Sequence, residues 1–81
     1  MSTTVDPRLA DDVVQWSDYM WPTIEEFGVP SRLMSEDDWQ NWASGLLSIA
    51  GFAGLNTPNP FQFDDWREWA IRFNEVINQG S

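Results

Sequence analysis

Apolar residues recur at helical spacing along three stretches of this chain, and proline, glycine and acidic clusters separate them. In the first stretch Leu9, Val13, Trp16 and Met20 form a stripe that Val14 and Trp21 widen. Asp6 suits the N-cap and Pro7 the first helical position. Pro22 brings no amide hydrogen, so the helix is expected to end or kink at Trp21, with Thr23 to Phe27 as a further short turn closed by Gly28. In the second stretch Trp39, Trp42, Ala43, Leu46, Ile49 and Ala50 form the inner face. Ser35 and Asp38 have the spacing of a capping box, and Met34 and Trp39 that of a hydrophobic staple. Gly45, Gly51 and Gly54 lower its helix propensity by about 1 kcal/mol each relative to alanine. With Ala43, Ser44 and Ser48 they leave a smooth side open to another backbone. The loop Asn56-Thr57-Pro58-Asn59-Pro60 cannot be helical. After it Trp66, Trp69, Ala70, Phe73, Val76 and Ile77 make a third stripe that Gly80 ends, with Glu68 and Arg72 as an i, i+4 ion pair. Nothing alternates with a period of two, so no sheet is expected. The pattern predicts an all-α single domain over 1–81, with a Trp-rich core. Its helices lie near 7–27 (kinked at 21/22), 36–53 and 64–79.

The three stretches share more than periodicity. Asp11-Asp12-Val13-Val14-Gln15-Trp16-Ser17, Asp37-Asp38-Trp39-Gln40-Asn41-Trp42-Ala43 and Asp64-Asp65-Trp66-Arg67-Glu68-Trp69-Ala70 are variants of one phrase, offset by 26 and 27 residues. A fixed period of this size is the mark of one structural unit used three times, here in degenerate form. The first copy departs most, because Val13 stands where the others have tryptophan. Each phrase has the grammar of a helix start, with carboxylates over the positive end of the macrodipole and then an apolar pair opening a buried face.

Composition narrows the functions. There is no cysteine, hence no disulfide and no sign of an oxidising compartment. Residues 1–6 have neither a basic nor an apolar signal region, so no secretion signal is expected. The uncharged stretch 39–63 is continuously apolar only over 42–55, which suits a buried helix and not a membrane span. Thirteen carboxylates face four arginines, without lysine or histidine, for a net charge of −9. Direct nucleic-acid binding is therefore not expected, since it relies on neutralising phosphates with Lys or Arg. Burying six tryptophans removes on the order of 1,200 Å² from water, roughly 30 kcal/mol gross. That exceeds the whole net stability of a domain, about 5–15 kcal/mol, so most of these rings belong to the core.

The acidic pairs Asp11/Asp12, Asp37/Asp38 and Asp64/Asp65 admit four readings. Asp37, Asp38, Asp64 and Asp65 with Glu36 could hold a hard cation if the helix starts meet, yet no calcium-loop spacing is present. Two could act as acid and base, yet nothing supplies a cleft. They could imitate phosphates, or simply cap helices, which is the plainest reading. Without His, Cys or Lys there is no Ser–His pair, thiolate or Schiff base, and Gly51-Phe52-Ala53-Gly54 lacks the lysine of a phosphate loop. No catalytic, cofactor-binding or metal site is expected. Trp21, Phe52, Phe61 and Phe63 sit at breaks in the helical pattern, and Phe61 and Phe63 follow the stiff Pro58–Pro60 turn. These six positions are the candidate partner-binding surface.

The segment Pro58-Asn59-Pro60-Phe61-Gln62-Phe63-Asp64-Asp65-Trp66-Arg67-Glu68-Trp69-Ala70 resembles small virion-associated structural proteins of tailed bacteriophages. In these a Pro-x-Pro turn leads into an Asp-Trp-x-x-Trp-Ala helix start. The likeness covers 58–70, with 37–43 as a second copy. The first repeat lacks the Pro-x-Pro lead-in. The resemblance implies a non-enzymatic component that binds and bridges larger virion subunits, found in the virion and, before assembly, in the host cytoplasm. The alternative is an acidic inhibitor or DNA mimic that blocks a host nucleic-acid-binding enzyme. Self-assembly through the small-residue side of the second helix is compatible with either.

Overall fold

The computed structural model describes residues 4–80. Residues 1–3, which carry part of the expectation of no secretion signal, lie outside it. Three α-helices form the domain: α1, Val13–Glu26; α2, Trp39–Leu46; and α3, Trp66–Gly80. Single 3₁₀ turns occupy Pro7–Leu9, Glu36–Asp38, Ala50–Phe52 and Pro60–Gln62, and there is no strand among the described residues. The Cα radius of gyration is 11.2 Å, close to the roughly 12 Å that chain length implies.

The core follows the three stripes. Val13, Trp16, Met20 and Ile24 from α1 meet Ala43 and Leu46 from α2, and Trp66, Trp69, Ala70, Phe73 and Ile77 from α3. Trp16 is its hub. Its ring packs 5.7 Å from Trp69 and 6.0 Å from Phe73, both edge to face, and 6.1 Å from Trp66. Trp21, Trp39 and Trp42 are half-buried against the same cluster, so none of the six tryptophans is left in open solvent.

Three tryptophans share one hydrogen bond. Trp16 Nε1 donates to the Val5 carbonyl at 2.9 Å, Trp42 Nε1 to that of Ser31 at 3.1 Å, and Trp69 Nε1 to that of Pro58 at 3.0 Å. Each acceptor lies eleven residues before its donor. The buried indole N–H groups of Trp16 and Trp69 need a partner, and in all three cases, half-buried Trp42 included, the chain leading into the helix supplies it.

Several expected boundaries move. The first helix does not run unbroken from residue 7. Asp6 caps a turn, Pro7–Leu9, that stops at Ala10 in extended backbone (ψ 147°). The chain then restarts at Asp12, whose carboxylate accepts the Gln15 amide hydrogen at 2.8 Å. Leu9 therefore leaves the apolar stripe and is 76% exposed. At its other end α1 runs on through Pro22, the expected kink point. Pro22 is exposed, so water can reach the Asp18 carbonyl that it leaves without a donor.

The second helix is shorter than 36–53. It stops at Leu46, Ile49 is extended (ψ 131°), and Ala50–Phe52 forms a separate turn. Gly51 gives the reason, because a Cβ there would stand 1.9 Å from the Phe27 carbonyl oxygen. The chain must leave the helix to bring this bare backbone against the end of α1. The change of direction also turns Ala50 outward, off the inner face where it was expected. Ser35 makes no side-chain cap bond, and Met34 is 86% exposed, so neither the capping box nor the staple forms. In α3, Arg72 approaches Glu75 at 3.4 Å instead of Glu68.

Candidate functional site

The three acidic helix starts are joined through α3. Arg67 leaves the first turn of α3 and donates from one guanidinium nitrogen to the carbonyls of Ala10 and Asp11, both at 3.1 Å. The same guanidinium lies over the Trp66 ring, 4.7 Å from its centroid. On the other side Gln40, in the first turn of α2, donates from Nε2 to the Phe63 carbonyl at 3.1 Å and to that of Pro60 at 3.4 Å. Glu36, Asp37, Asp64 and Asp65 then line one open recess of about 350 Å³, with Trp39 and Trp66 in its wall. The recess brings Asp37 beside Asp64 and Asp65, and Arg67 ties the backbone at Asp11 to α3, while Asp11, Asp12 and Asp38 do not line the recess.

Each pair is held differently. Asp12 caps α1, while Gln15 reaches back and its Oε1 accepts the Asp11 amide hydrogen at 2.7 Å. The pair of bonds is close to a capping box, except that Gln15 takes the amide of the residue before the cap in place of the cap's own. Asp65 accepts the Arg67 amide hydrogen at 3.0 Å. Asp38 takes the Asn41 side-chain amide at 3.1 Å and caps nothing on the backbone. Five of the six carboxylates remain exposed, and Asp12 is half-buried. Among the described residues no group of three or more His, Cys, Asp or Glu is disposed to hold a metal ion. No helix there is long and apolar enough to cross a membrane.

Beside these helix starts the arginines are occupied. Arg8 is paired with Asp6 at 2.8 Å, and the Arg8 side-chain and backbone hydrogen bonds hold the Asp6 carboxyl below the usual aspartate range. Arg67 is committed to carbonyls and a ring, as above.

Of the candidate partner-binding residues, Phe61 alone is fully presented, at 57% exposure. It rides on the turn Pro60–Gln62, where the Asn59 side chain accepts its amide hydrogen at 3.0 Å. Phe52 is buried, contrary to expectation. It stacks on Phe27 with centroids 4.5 Å apart and touches Phe73 at 5.7 Å. Once the helix breaks at Ile49, Phe52 swings inward. Pro60 is likewise buried, at the base of the turn that packs on α2. Pro58 is half-buried and gives its carbonyl to Trp69. Phe63 is half-buried against the core. Trp21 is half-covered, with the Arg32 guanidinium 5.2 Å from its centroid.

Besides Phe61, the exposed large apolar side chains among the described residues are Leu9, Met34, Tyr19, Leu47 and Ile71, and Leu9 and Met34 are the most exposed of them. Leu9 and Met34, like Phe61, stand two or three residues before an acidic pair. Of these Met34 shares a recess with Asp38. No protein-family model, curated protein or solved structure matches the chain.

Proposed function

We propose that this chain is a non-enzymatic accessory component of a tailed-phage virion, which binds and bridges larger subunits through its helix starts. The observation that carries the docking part is the exposure at these starts. Leu9, Met34 and Phe61 are exposed two or three residues before the acidic pairs, while Arg8 and Arg67 are held by internal contacts. Such a surface fits a basic patch with apolar sockets, where charge steers the encounter and the tips supply affinity. The virion part is supported by the likeness of residues 58–70 to phage structural proteins. A threefold use of one unit belongs to the same proposal. It is supported by the three indole–carbonyl bonds, spaced as the acidic phrases are.

Charge placement weighs against the inhibitor reading. A mimic would spread carboxylates along one long face at phosphate-like intervals, whereas here the acids cluster at helix starts and residues 39–63 carry none.

The test is incorporation into particles. Phe61→Ser removes the exposed ring without touching the core, and should reduce recovery in purified virions while helical circular dichroism is unchanged. Undiminished incorporation removes the Phe61 tip from the proposal. An affinity pull-down from producing cells separates the two functions. Capsid, portal or tail subunits retained in high salt favour the structural reading, and a host nuclease or polymerase released by salt favours the inhibitor.

A further inference from the structure

Outside the acidic recess, α2 and the segment that precedes it enclose a second surface. Val29, Pro30, Trp42, Gly45, Leu46 and Ile49 line a groove of about 210 Å³ with no charged side chain in its wall. It shares no lining residue with the acidic recess or with the Phe61 turn. The volume lies below the about 300–1,000 Å³ of small-molecule sites, so the groove suits an inserted side chain and not a cofactor.

Gly45 is the informative residue. Gly28 and Gly54 have φ of +99° and +87°, and Gly51 touches the Phe27 backbone, so each answers to a need inside the fold. Gly45 lies within α2 with neither reason, and a Cβ built on it meets nothing within 4 Å. A helix glycine that weakens its own helix and fronts an open apolar groove is explained by what approaches from outside. Trp42 beside it has its indole N–H taken by Ser31, which leaves an apolar ring for contact.

Charge selects the occupant. The groove continues into a recess lined by Met34, Asp38 and Arg32. Arg32 is engaged there, over the Trp21 ring and 3.8 Å from Asp18, and Glu36 and Asp37 precede Asp38. A second copy of this chain would bring a further −9 against the same charge. We infer that the groove between residues 29–31 and α2 receives a basic amphipathic segment of a protein partner. One of its apolar side chains seats between Trp42 and Gly45, and its Lys or Arg residues lie toward Asp38. The inference stands whether or not the partner is a virion subunit.

The test uses the full chain, ¹⁵N-labelled, and a synthetic amphipathic peptide of leucine and lysine, with its leucine–glutamate counterpart as control. The lysine peptide should shift the Trp42 indole resonance and the backbone amides of 29, 31 and 42–49, more weakly as salt rises, and the glutamate peptide should not. Gly45→Met fills the groove without changing charge. It should weaken the lysine peptide by about tenfold, as expected when a central anchor is excluded. Three results would overturn the inference. They are equal binding by Gly45→Met, shifts confined to the recess of Asp37, Asp64 and Asp65, and the same resonances moving with protein concentration alone, which would mark a second copy as the occupant.

Discussion

Two glycines six residues apart give opposite answers to one substitution. Gly51→Ala places a methyl against the Phe27 carbonyl, and backbone cannot step aside as a flexible side chain can. It should destabilise the domain by about 3 kcal/mol, the upper part of the range for overpacking. Gly45→Ala finds open space inside a helix and should stabilise by about 0.5–1 kcal/mol. Urea midpoints of the two variants, measured side by side, should move in opposite directions. In the sequence both are helix-weakening glycines on a smooth side open to another backbone, and nothing there tells them apart. Their difference rests on a contact between residues 27 and 51 that no local pattern encodes. Phe52 carries the same lesson. Local periodicity left it outside the stripe, and the break at Ile49 turned it into the core.

At the scale of the elements, local chemistry was readable where it acted alone. The α3 stripe is occupied as its spacing requires, with Val76 half-buried at its edge. Asp6 before Pro7 was read correctly as a cap, although the turn it starts ends after Leu9. That turn should answer to pH. The Arg8 contacts hold the Asp6 carboxyl below the usual aspartate range, so its contribution is present above that range and is lost as pH falls through the depressed value. An NMR titration should give Asp6 a midpoint below that of an unpaired aspartate, and Arg8→Ala should return it toward the ordinary value. What the sequence hid is the seam between helix starts. Arg67 reads as an exposed helix cation, and its two carbonyl acceptors lie in another third of the chain. Arg67→Ala should cost about 1–2 kcal/mol in chemical denaturation, because it strips charged hydrogen bonds from the junction of α1 and α3. Gln40→Ala should loosen the matching junction of α2 with Pro60 and Phe63 by less, its donor being neutral.

For the whole molecule the net charge is the governing fact. Its three ion pairs among the described residues are all exposed, and such pairs contribute about 0–1 kcal/mol each. With −9 on so small a body, self-repulsion should outweigh them. Added sodium chloride should therefore raise the melting temperature, by about 4–8 °C for each kcal/mol of repulsion screened. A fall with salt would mean that the pairs dominate. The sequence supplied the sign of this effect and the size of the body. It did not supply the recess shared by Asp37, Asp64 and Asp65, which depends on how the starts of α2 and α3 meet.

The indole–carbonyl bonds have one more consequence. Each third of the chain holds a single side-chain N–H on a carbonyl of its own lead-in segment, and each such proton has its own resonance. Deuterium replaces a proton of this kind only when its bond opens. Trp16, Trp42 and Trp69 are therefore three built-in clocks. Equal exchange rates would mean that the domain opens all at once, and a spread of rates would rank its thirds in the order in which they let go.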